Sequence, residues 1–87
     1  MLQVKKNILV IARQDKVEAL RIAAGLTLFD DSVMVAVLGD LEDTPAMREQ
    51  REVLEFAEVP LQRYGEHGIG DPALARDVMR ADAVYVV

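Results

Sequence analysis

Apolar residues fall along this chain in two kinds of pattern. Three stretches, Ile8 to Ala12, Val33 to Leu38 and Ala83 to Val87, are short, nearly continuous in apolar residues and rich in valine and isoleucine. Strands apolar on both faces belong to a parallel sheet covered by helices on each side. Between the first two the spacing changes. Val17, Leu20, Ala24 and Leu28 repeat at three and four residues, while Glu18, Arg21 and Thr27 fall off that stripe, which predicts an amphipathic helix. Asp15 with Glu18 three positions on resembles a capping box at its start, and "FDDS" supplies a polar turn into the next strand.

A second helix is predicted from about Pro45 to Ala57, with Thr44 as cap and proline at the first helical position, where a missing amide hydrogen costs nothing. Its charges, Arg48, Glu49, Arg51, Glu52 and Glu55, are mixed in sign and read as a solvated face. "VPLQRYG" reads as a short, less apolar third strand. The third helix starts at Asp71 and Pro72, again cap then proline, and is expected to carry Leu74, Val78 and Ala81 inward. The order is β-α-β-α-β-α-β, without repeat, linker or low-complexity tract. Residues 1–87 are therefore expected to form a single domain, a three-layer α/β sandwich with a four-stranded, mainly parallel sheet, flavodoxin-like in the broad sense, joined by right-handed crossovers. The strand order expected is 2-1-3-4.

Composition narrows the partners. The chain has 87 residues, 52% apolar and 29% charged, with 10 basic against 15 acidic side chains and a net charge of −5. That is a globular balance, and its field repels nucleic acid and anionic membrane surfaces. The absence of cysteine excludes disulfides, thiolate metal sites and thiol chemistry. "MLQVKKNILVIA" has two lysines before an apolar stretch, but the run is short and no small-residue cleavage site follows, so it reads as a strand. No apolar run approaches the roughly 20 residues of a membrane span. A cytoplasmic protein is expected. The fourth strand runs apolar to Val87 without a charge to blunt it, which predicts a homo-oligomer or related subunits covering a sheet edge or helix face.

In an open parallel sheet the ligand crevice lies beyond the carboxyl ends of the strands. The loops leaving those ends are Arg13 to Asp15, Gly39 to Thr44 and Tyr64 to Asp71, and they make Arg13, Asp15, Asp40, Tyr64 and His67 the candidate binding residues. "GEHGIGDP" places three glycines before a helix, but its G-x-x-G-x-G spacing matches neither the dinucleotide fingerprint nor a P-loop, and Glu66 and Asp71 would repel phosphate. Turn glycines leading into a capped helix account for it. His67, the one histidine, could serve as acid or base, yet has no second ligand or nucleophile near it in sequence. Asp30 and Asp31, and Asp40 with Glu42 and Asp43, have the charge for magnesium, but the first pair falls at the wrong end of the sheet, in the turn entering the second strand, and the second set lacks the lysine and threonine or serine partners a receiver-type site needs. Solvated loop charge is the simpler account. No catalytic residue, metal site or cofactor is assigned.

Lys5 to Asp40, "KKNILVIARQDKVEALRIAAGLTLFDDSVMVAVLGD", resembles the opening of the DsrE/DsrF/DsrH-like family of small sulfur-relay proteins, and "VPLQRYGE" and "MRADAVYVV" are similar to that family's third strand and its last helix and strand. The resemblance implies a compact α/β subunit that assembles into dimers or rings, in which some members carry a persulfide on a cysteine near the end of the third strand. The matching region, Arg63 to His67, has no cysteine, and without a thiolate nothing holds the sulfane sulfur. The expectation from the resemblance is a non-catalytic, oligomeric accessory or binding subunit linked to sulfur relay, its pocket using Arg13, Tyr64 and His67. The alternative is a hydrolytic or small-molecule-binding domain that uses His67 with Asp15 or Asp40.

Overall fold

The computed structural model describes residues 6–29, 32–66 and 68–87. Strand β1 (Asn7–Ala12) leads into helix α1 (Lys16–Leu26) and a short 3-10 turn, then β2 (Ser32–Leu38), α2 (Pro45–Phe56), β3 (Leu61–Tyr64), a second 3-10 turn at Gly68–Gly70, α3 (Pro72–Arg80) and β4 (Ala83–Val86). All pairings are parallel, and the strands lie in the order β3-β2-β1-β4. The three-layer, flavodoxin-like α/β class expected from the sequence is the fold observed.

Each helix begins where its polar cap lies. The Asp15 side chain accepts from the Glu18 amide at 3.2 Å, the Thr44 hydroxyl from Met47 at 3.1 Å and the Asp71 carboxylate from Ala73 at 2.8 Å. Each bond satisfies one amide of a first turn that has no intrahelical partner. Helix α2 ends at Phe56 with Ala57 as its cap, after which Glu58 turns the chain with φ +59°. That is left-handed backbone usually given to glycine.

The core has two unequal halves. On one face, Ile8, Val10, Val33, Val35 and Val37 of the sheet pack with Leu20 and Ala23 of α1 and with Met47 and Leu54 of α2. On the other, Leu9, Ile11, Ala36 and Leu38 meet Leu74 of α3. Among the described residues no polar or charged residue is buried, and no helix is long and apolar enough to cross a membrane.

The strand order corrects the expected 2-1-3-4, and crossover handedness explains it. A right-handed crossover fixes the direction of the next strand once the face of its helix is chosen. Helices α1 and α2 share one apolar core on one face, so β1, β2 and β3 step in one direction. Helix α3 lies on the opposite face, which returns β4 to the far side of β1.

Side-chain placement differs from expectation at three points. Leu28 lies beyond the end of α1, in the 3-10 turn, and is 85% exposed rather than on the buried stripe. Val78 is 37% exposed because α3 presses only Leu74 fully into the sheet. Strand β4, apolar throughout, is an edge rather than a covered strand. By register Val84 and Val86 share the α3 face with Leu9 and Ile11, while Tyr85 shares the opposite face with Val10. They are exposed by 38%, 59% and 45% respectively.

Two substitutions check this architecture. Leu20→Ala, in the fully buried centre of α1, is expected to cost about 2–5 kcal/mol in urea unfolding. Glu58→Gly relieves the left-handed residue and is expected to raise stability by about 0.5–1 kcal/mol in the same assay.

Candidate functional site

The strand order moves the topological switch point. The direction in which successive strands are added reverses between β1 and β4, so the crevice for a ligand is expected at the carboxyl ends of those two strands. There the Arg13 and Gln14 amides both donate to the Val87 carbonyl, at 2.8 and 2.9 Å. The crevice is stitched by main chain. Asp15, between those amides and α1, spends one carboxylate oxygen on the Glu18 amide. An acidic cap and a loop without glycine differ from the first βα turn of dinucleotide-binding folds, where bare amides approach a pyrophosphate.

An open hollow lies one strand over, beside the starts of α1 and α2. It encloses about 210 Å³ and is lined by Gln14, Asp15, Lys16, Asp40, Glu42 and Met47. Lys16 Nζ donates to the Asp40 carbonyl at 2.7 Å, and Arg63 of β3 reaches the Asp40 carboxylate at 3.1 Å. Asp40, in the loop after β2, thereby links the start of α1 and strand β3, although exposed side chains of this kind hold one another only weakly. Gly39 makes the approach possible. Its φ is +84°, its amide donates to the Tyr64 carbonyl at 2.9 Å, and a Cβ there would lie 3.3 Å from both Lys16 Nζ and Glu66 Cγ.

The sheet separates Tyr64 from this hollow. Tyr64 shares the α3 face with Leu38, packs on the smaller core, and donates its hydroxyl to Asp77 Oδ2 at 2.8 Å. Burial of the ring, the bond to Asp77 and the charges of Asp77 and Asp71 push its pKa from 10.0 up to about 12. Gly68 lies directly over Tyr64, where a Cβ would come within 2.7 Å of the tyrosine Cβ and 2.8 Å of Leu38 Cδ2. The close approach seats the turn into α3 on the sheet.

The five sequence candidates therefore occupy more than one place. Asp15 and Asp40 line the hollow, Arg13 stands exposed at the switch point, Tyr64 belongs to the α3 face, and His67 lies outside the described residues. Lys16, Arg63 and Asp77, the partners that organise these residues, were not singled out by sequence reasoning. Their roles come from pairing across the sheet, and the one local signal was the position of Lys16 directly after the Asp15 cap. Among the described residues no group of three or more acidic or histidine side chains converges as a metal site would require.

No family model and no curated protein sequence matches the chain. Among solved structures, the crystal structure of yeast ynu0, YNL200c, matches with a TM-score of 0.58 and 25% sequence identity. The match covers 76% of this chain and 27% of that one, so the chain spans little more than a quarter of the length of the yeast protein. The α/β parallel-sheet fold is shared.

Tyr64 gives the site a measurable pH signature. Folded and unfolded states both keep the phenol protonated below pH 10, so its contribution is fully present there. From about pH 10 to about pH 12 the unfolded chain releases the proton while the folded one holds it, and stability falls as pH rises. Urea unfolding across that window should show this loss, and Tyr64→Phe should flatten it while costing about 0.5–1.5 kcal/mol at neutral pH.

Proposed function

We propose that this chain is a non-catalytic α/β subunit of the DsrE-like kind that self-associates and acts as an accessory or binding component, with sulfur relay as its setting. The observation that carries this reading is the β4 edge, where Val84, Val86 and Tyr85 expose apolar surface on both faces of one outer strand. A partner strand that continues the sheet brings helices to both faces at once, whereas a partner laid on one face covers only half of this surface. The edge has no lysine, proline or inward-pointing charge of the sort that keeps free strands apart. The non-catalytic part of the reading is supported by the cysteine-free loop after β3, which offers no thiolate to carry sulfur.

A second reading, a small-molecule site, is favoured by the hollow of about 210 Å³ in which Lys16, Asp15 and Asp40 combine both charges beside buried Met47. A ligand there would raise the melting temperature saturably, and Lys16→Ala would abolish the rise.

Self-association is tested by light scattering after size exclusion, over a dilution series. The expected outcome is a dimer or larger species that Tyr85→Glu and Val86→Lys each convert to monomer with the fold intact by circular dichroism. A monomer at every concentration would overturn the proposal.

A further inference from the structure

Among the described residues the sheet has a second free edge, β3, and its surroundings differ from those of β4. The Val35 amide donates to the Pro60 carbonyl at 3.0 Å and the Gly39 amide to the Tyr64 carbonyl at 2.9 Å. Backbone groups alternate sides along a strand, so residues 60, 62 and 64 face β2, while Leu61 and Arg63 turn their amides and carbonyls away from the sheet. The strand therefore offers two donors and two acceptors in register along its open side.

A hollow flanks this edge on each face. Toward α2, about 250 Å³ is bounded by Arg51, Leu54, Glu55, Val59 and Leu61, with Leu54 and Val59 supplying an apolar floor. Toward α3, about 530 Å³ is bounded by Met34, Gln62, Tyr64, Asp71 and Asp77, among others. The Asp71 carboxylate caps α3 through one oxygen and Asp77 receives the Tyr64 hydroxyl through one of its own. Each has a second oxygen outside those bonds, and both residues line the hollow.

An unpaired edge with a recess on both sides matches strand addition by an extended peptide, in which main-chain bonds give affinity and alternate side chains enter opposite recesses. The charge pattern selects the sequence. Two carboxylates line the α3-side hollow against one cation, Arg63, whose guanidinium is engaged by Asp40, and in a chain with net charge −5 they favour basic side chains there, while the Leu54 and Val59 floor favours apolar ones on the α2 side. We propose that the β3 edge docks an extended peptide segment of alternating apolar and basic residues, its apolar residues toward α2 and its basic residues toward Asp71 and Asp77. This surface lies across the sheet from β4 and stands or falls independently of self-association.

The test uses a short fluorescein-labelled peptide of alternating valine and lysine, followed by fluorescence anisotropy with the whole chain and with its Tyr85→Glu variant. Saturable binding is expected to both. Methylating alternate peptide nitrogens removes the main-chain donors without touching the protein, and exchanging lysine for glutamate reverses the charge. Each change should weaken binding by at least about tenfold. The Asp71→Asn and Asp77→Asn pair, which keeps an oxygen for the cap and for the Tyr64 hydroxyl, should weaken the lysine peptide by a similar factor. Equal affinity for the methylated or glutamate peptide would overturn the proposal. So would unchanged binding to the Asn variant, displacement of a second copy of the chain by the peptide, or no binding up to about 1 mM.

Discussion

The arrangement depends on one shared apolar face. Val10 and Val35, in the centre of the sheet, are completely buried, and they are covered because α1 and α2 lie side by side over them with Leu20, Ala23, Met47 and Leu54 directed into the same core. Burial of this kind is the main favourable term in folding a chain of this size. It also decides topology. Two consecutive helices on one face, joined by right-handed crossovers, force three strands to advance in one direction, and only the helix on the opposite face can reverse it. The remaining features follow from that choice: β3 and β4 become the two edges, and the switch point falls between β1 and β4.

The same choice distributes the polar chemistry. Loops after β1, β2 and β3 all emerge at one end of the sheet, yet their side chains divide between its two faces. Arg63 turns toward the α1 and α2 side to meet Asp40, while its neighbour Tyr64 turns toward α3 to meet Asp77. Successive residues of a strand point to opposite faces, so adjacency in sequence at a strand end separates these two groups in space. The switch-point crevice, where open α/β sheets place ligands, is laced by the Arg13 and Gln14 amides to the Val87 carbonyl. The hollow beside Lys16 and Asp40 lies next to that laced crevice, at the starts of α1 and α2.

The sequence by itself determined the elements and where each helix starts. Asp15, Thr44 and Asp71 act as caps within two or three residues of the amides they satisfy, and the valine-rich runs are strands because their period is local too. Those interactions are complete within a single turn or strand, so the chain's own order displays them. Only the tertiary structure decided the strand order, the exposure of Leu28, Val78 and β4, and the separation of Tyr64 from Asp15 and Asp40. Each turns on which face of the sheet a helix covers, a competition among apolar surfaces far apart in sequence. The solvated charges of α2 imply that its other side is buried, a requirement equally satisfied on either face of the sheet. The packing of Met47 and Leu54 against α1 makes the selection.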